Sequence, residues 1–131
     1  MSDYPVNVTV TLTGSDKSVG KMSLDLVSAK WTEKKRLQQH MQPLVGGRSY
    51  SSTQTLGFSV DNVTSVSLMW TKKKLAFGGN SLLIRQVIVE PLYLPSLYEK
   101  RIRTKVFCGS VVPMVAKSEY PIKFNVNCRP W

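Results

Sequence analysis

Apolar residues recur at every second position along much of this chain. Val6, Val8, Val10 and Leu12 alternate with Asn7, Thr9, Thr11 and Thr13, and Gly14, Ser15, Asp16 and Lys17 follow as a turn. Met22, Leu24 and Leu26 alternate with Ser23 and Asp25. Leu56, Phe58 and Val60 alternate with Gly57 and Ser59, so residues 51–60 read as a strand that turns at Asp61 and Asn62. Val66, Leu68 and Trp70 alternate with Ser65, Ser67 and Met69. Side chains two apart share one face of a strand, so each set predicts half-buried β-structure, with Trp70 facing the core.

The last quarter of the chain holds two more such runs. Ile102, Thr104, Val106 and Cys108 share one parity, while Arg101, Arg103 and Lys105 share the other. Ile122, Phe124, Val126 and Cys128 form the second run. Taking the cysteine parity as inward puts Arg101, Arg103 and Lys105, with Lys100 beside them, in a cationic row on the outer face. Neighbours in such a row stand about 7 Å apart. Residues 82–90 are mostly aliphatic and predict a strand that is either buried on both faces or bulged. Residues 29–40 have the composition of a short helix but no apolar stripe. They are expected to form a basic loop and a short edge strand, where lysines discourage strand addition. Turns or loops are expected at 46–48, 71–80 and 91–98. The sum is a single all-β domain over residues 1–131, an antiparallel β-sandwich of about eight strands.

A chain of 131 residues is long enough for one real core. Its formal net charge of +10 directs attention to polyanionic partners: acidic glycans, anionic lipid or nucleic acid. A nucleic-acid binder would want exposed aromatics for base stacking, and most aromatics here have inward parity. The two cysteines fit one bridge in an oxidising compartment or two buried thiols in a reducing one. Asn7 and Asn62 each begin a glycosylation triplet, which favours secretion. The first residues show no signal peptide, so a secreted parent implies that the chain is an excised piece of a longer protein. No apolar run is long enough to cross a membrane.

Catalytic chemistry finds no support in the residues. The single histidine, His40, sits in a polar basic stretch. There is no nucleophile elbow, no phosphate-binding glycine loop and no metal-ligand spacing, and no cofactor is implied. Three stretches can carry binding instead. Lys72, Lys73 and Lys74 precede Leu75 and Phe77 in one loop; either the two apolar groups enter an acyl boundary beside the cations, or they fold back into the core. The outer row Lys100, Arg101, Arg103 and Lys105 suits a sulfated glycan or a phosphate backbone. Trp31 beside Lys34, Lys35 and Arg36 offers lipid or glycan contact.

These elements together resemble the C-terminal PLAT domain of the secreted triglyceride lipases. The branch most similar is that of lipoprotein, hepatic and endothelial lipases, or the related secreted phospholipases A1. The resemblance rests on the strand from Val66 to Trp70, the Ile-rich strand from Leu83 to Val89, and the pair Phe107 and Cys108. It is completed by Cys128 at the end of an alternating strand. It implies a Cys108–Cys128 disulfide and a non-catalytic role, the triad belonging to an N-terminal lipase domain. It further implies contact with lipid or lipoprotein surfaces, in some members heparan sulfate, and an extracellular location. The lipoprotein-lipase branch has a tryptophan-rich loop where this chain has residues 71–80. Three lysines with Leu75 and Phe77 move the expectation towards anionic phospholipid. The alternative is an intracellular PLAT module with free thiols that binds proteins.

Overall fold

Among the described residues ten strands form, most of them where alternation is strictest. The computed structural model describes residues 4–75, 78–92, 104–109 and 113–126. In chain order the strands are β1 (Tyr4–Thr13), β2 (Lys17–Ser28), β3 (Thr32–Arg36), β4 (Gln42–Val45) and β5 (Ser49–Leu56). They continue with β6 (Val63–Lys72), β7 (Ser81–Pro91), β8 (Lys105–Cys108), β9 (Met114–Lys117) and β10 (Ile122–Val126). All pairings are antiparallel, in the order β3-β2-β6-β10-β8-β7-β1-β5.

The two remaining strands complete existing columns. β4 pairs with Lys17–Gly20 of β2, the half that β3 leaves open, so β3 and β4 are one interrupted edge strand. β9 likewise pairs with Ser81–Ile84 of β7 while β8 pairs with Val87–Val89. Ten strands therefore fill eight columns, the number expected. Two layers of four columns share one core and are joined by the short pairing of β10 with β8 at Cys108 and Phe107. The first layer is β3/β4, β2, β6 and β10; the second is β8/β9, β7, β1 and β5.

The core is the inward set of each strand. Val6, Val8, Val10 and Leu12 of β1 are buried, as are Met22, Leu24 and Leu26 of β2 and Val66, Leu68 and Trp70 of β6, as their alternation predicts. Trp70 closes the layers: its Nε1–H donates to the Ala116 carbonyl of β9 at 2.7 Å. In β7, Leu82 and Ile84 are buried, then Val87 and Val89. The change of phase falls at Arg85, which is skipped where the β1 register moves from Thr11↔Gln86 to Leu12↔Ile84. The bulge, rather than burial on both faces, explains this aliphatic run. The free edges also touch. The Gly57 N–H donates to Glu33 Oε1 at 2.7 Å, and Gln54 Nε2 donates to the Arg36 carbonyl at 2.8 Å.

Three expectations need correction. β5 stops at Leu56, and Phe58 and Val60 are buried from a turn and a 3-10 segment, Val60–Asn62. That segment is capped by Ser59, whose Oγ accepts from the Asp61 N–H at 3.3 Å. The four-residue strands β4 and β9 carry too little alternation to be read in advance. In β8 one parity does not take the core alone: Cys108 is buried as expected, and so is Phe107 of the other parity. Phe107 stands opposite the buried Val87 and is itself fully buried, and Lys105 shares its side opposite Val89. Both parities of 102–108 hold apolar groups, and the larger aromatic surface also enters the core.

Candidate docking surface

The turns fall at two opposite ends of β2. One end gathers the β1–β2 turn, the β4–β5 turn at Gly46 and Gly47, the β6–β7 loop and the β9–β10 turn. The Lys73 N–H donates to the Val19 carbonyl at 2.7 Å, which seats the β6–β7 loop there. The other end holds the β2–β3 turn, where the Ser28 N–H donates to the Trp31 carbonyl at 3.0 Å. The step from Val19 to Ser28 spans about 30 Å.

The β6–β7 loop presents its residues very unequally. Lys72 is turned inward on the loop: its Nζ donates to the Gly78 carbonyl at 3.1 Å and to Asn80 Oδ1 at 3.0 Å. Lys73 and Lys74 are exposed, and Leu75 stands at 102% relative exposure, so Leu75 does not fold back into the core. Leu75 has φ +61°, a left-handed conformation that leucine adopts at a cost. Gly78 makes the return possible: φ is +123°, and a Cβ there would lie 2.7 Å from the Lys17 carbonyl. Phe77 lies outside the described residues.

The β9–β10 turn is fastened to this loop. The Lys72 N–H donates to Ser118 Oγ at 3.0 Å, the Ser118 N–H to the Asn80 carbonyl at 3.1 Å, and the Glu119 N–H to the Trp70 carbonyl at 2.8 Å. This brings Tyr120, 67% exposed, and Lys117 to the same end as Leu75. Sequence reading missed both. Tyr120 precedes Pro121 beyond any alternating run, and only the pairing of β9 and β10 with their neighbours places it. Lys17 and Arg48 are exposed at this end as well.

The remaining candidates are dispersed. Trp31 is 48% exposed, but it belongs to the far end. There its ring meets Phe58 edge-on at 5.7 Å, bordering a groove of about 600 Å³ with Tyr4, Lys30, Asp61 and Asn62. Trp31 and Leu75 therefore cannot enter one flat bilayer together. Lys34 and Arg36 are exposed on the outer face of β3, whereas Lys35 turns the other way and pairs with Glu33 at 3.5 Å. Lys105 does not stand in an outer row: its Nζ donates to the Asp61 and Val63 carbonyls, each at 2.8 Å. Lys100, Arg101 and Arg103 lie outside the described residues. Cys108 is buried and is not a free thiol; Cys128, its expected partner, lies outside the described residues. Asn62 is exposed, while Asn7 Nδ2 is engaged with Thr9 Oγ1 and Glu90 Oε1, both at 3.2 Å. Among the described residues no helix is long and apolar enough to cross a membrane.

Solved structures share this architecture. The crystal structure of Delta413-417:GS LOX, a lipoxygenase, aligns with a TM-score of 0.70 at 12% identity, over 95% of this chain and 16% of that one. The fold is PLAT-like. An anaerobic structure of the same deletion variant in complex with arachidonate aligns at 0.69 and 12% identity, over 95% and 16% of the two chains. A further point variant gives 0.71 and 12%, over 97% and 17%. This chain thus spans about one-sixth of those proteins. No family model and no curated protein matches it.

Proposed function

We propose that this chain is a non-catalytic accessory module that docks on an anionic phospholipid surface through the end bearing Leu75. The observation that carries this reading is the fully exposed Leu75 beside exposed Lys73 and Lys74. A large apolar side chain held in solvent on a left-handed turn has no use within the fold. Cations beside it supply the attraction to acidic headgroups, and Leu75 supplies shallow insertion. Tyr120 adds an amphipathic ring suited to the interface.

The wider setting rests on the sequence resemblance: a secreted lipase or phospholipase A1 parent, with lipoprotein or heparan sulfate as further surfaces. A Cys108–Cys128 bridge belongs to that setting. Intact mass of material from its natural source, lower by two hydrogen atoms than the reduced chain, is the expected result; two free thiols would favour the intracellular protein-binding module.

Liposome co-sedimentation tests the docking. Binding to vesicles containing phosphatidylserine should exceed binding to pure phosphatidylcholine and should weaken as salt rises. Leu75→Ser should reduce it several-fold with unchanged thermal stability. Equal binding by wild type and Leu75→Ser would overturn the insertion step, and no binding to either vesicle would overturn the docking.

A further inference from the structure

The outer face of the first layer carries a cluster of donors that the docking loop does not use. In the register Arg36 stands opposite Ser23, Ser23 opposite Met69, and Lys21 opposite Thr71. Lys34, two residues before Arg36, shares its side of β3. A hollow of about 220 Å³ opens among these groups, and Gln38 forms part of its wall. No carboxylate lines it. Asp25 stands opposite Lys34 but makes no ion pair with it; the ion pair found among the described residues is Lys35 with Glu33, on the other side of the strand.

Gln38 gives the hollow its direction. It is 8% exposed, and its Oε1 accepts from the Met22 N–H at 2.6 Å. That bond fixes the amide orientation, and the NH2 group has no hydrogen-bond partner among the described residues. That NH2 group is not a buried donor: it stays open to solvent at the wall of the hollow and can donate to a group that enters it. Ser23 and Thr71 add two hydroxyls with no hydrogen-bond partner among the described residues. Three cations, an amide donor and two hydroxyls around one small hollow match a tetrahedral oxyanion and repel a cation.

We infer that this hollow binds the phosphate monoester of a lipid headgroup, with Lys21, Lys34, Arg36 and Gln38 as donors. The lipid source rests on the docking proposal. Lys21 follows Gly20, which pairs with Lys72 at the base of the loop, so the hollow lies on the flank of the docking end. A doubly charged monoester at the bilayer surface meets this flank when Leu75 is inserted and the first layer tilts towards the lipid.

Vesicles of phosphatidylcholine with phosphatidic acid, a monoester, are compared with vesicles containing phosphatidylserine, a diester, at matched surface potential. Wild type should bind the first about tenfold more tightly, the gain expected of one further charge-assisted contact. Lys21→Gln/Arg36→Gln should remove that gain and leave most phosphatidylserine binding intact. Equal affinity for both vesicles, or an equal loss on both, would reduce the hollow to diffuse charge and overturn the inference. Amide NMR titration with glycerol 3-phosphate separates this from failure of docking. Shifts at Ser23, Gln38 and Thr71 without vesicle binding would keep the phosphate site and discard the membrane. The absence of such shifts would discard the site. Shifts caused only by a sulfated disaccharide would overturn the phosphate assignment in favour of a glycan.

Discussion

Leu75 and Glu119 are the two non-glycine residues with positive φ among those described, at 61° and 68°. They sit in adjacent turns of the docking end, and both strain the backbone locally. Glycine at either position should raise the melting temperature by about 3 °C, by thermal denaturation. Their effects on vesicle binding should differ. Leu75→Gly should bind anionic vesicles several-fold more weakly, whereas Glu119→Gly should bind at least as well, having lost a negative charge. Trp70 illustrates the opposite kind of residue. It is fully buried, and Trp70→Phe would leave the Ala116 carbonyl without its donor and a small void beside it. A loss of about 2 kcal/mol in chemical denaturation is expected.

At the scale of the strand, the sequence was legible where one parity alone held the apolar groups. β1, β2 and β6 fall where their alternation places them because burying the other parity would put Asn, Ser and Thr in the core. Legibility failed where both parities were apolar, as at 105–108, and where strands were four residues long, as in β4 and β9. The loop was readable as a cluster of cations and apolar groups. That Lys72 is its internal brace while Leu75 is its tip follows only from the carbonyls of the loop itself. The phosphate hollow was hidden for a different reason. Lys21 and Arg36 are 15 positions apart in the chain and meet only through the β2–β3 register, and nothing in the neighbourhood of Gln38 marks it as a donor. Lys72→Met should therefore loosen the loop rather than subtract one unit of surface charge. Hydrogen exchange at Asn80 and Ser81 should quicken, measured by NMR.

The whole molecule is asymmetric in charge. The first layer's outer face carries Lys21, Lys34, Arg36 and Lys123. The second layer's outer face is a Ser/Thr ladder over β1 and β5, with Thr9 and Ser51 bonded at 3.0 Å and Thr11 and Ser49 at 3.1 Å. Long-range attraction therefore favours an approach that tilts the first layer towards an anionic surface. A Cys108–Cys128 bridge would add about 3 kcal/mol to the stability of this sandwich, mainly by restricting the unfolded chain. Reduction should lower the denaturation midpoint accordingly without altering vesicle binding, since Cys108 lies away from Leu75.

The length of β2 also sets a height. With Leu75 at the headgroups, Trp31 and the groove beside it would stand about 30 Å above the bilayer. That distance is several Debye lengths in physiological salt, so whatever occupies the groove would scarcely feel the lipid charge. The domain would then act as a spacer with chemically independent ends. Neutron reflectometry of the bound protein should show a layer of about that thickness, and tryptophan quenching by bilayer-embedded nitroxides should leave Trp31 bright.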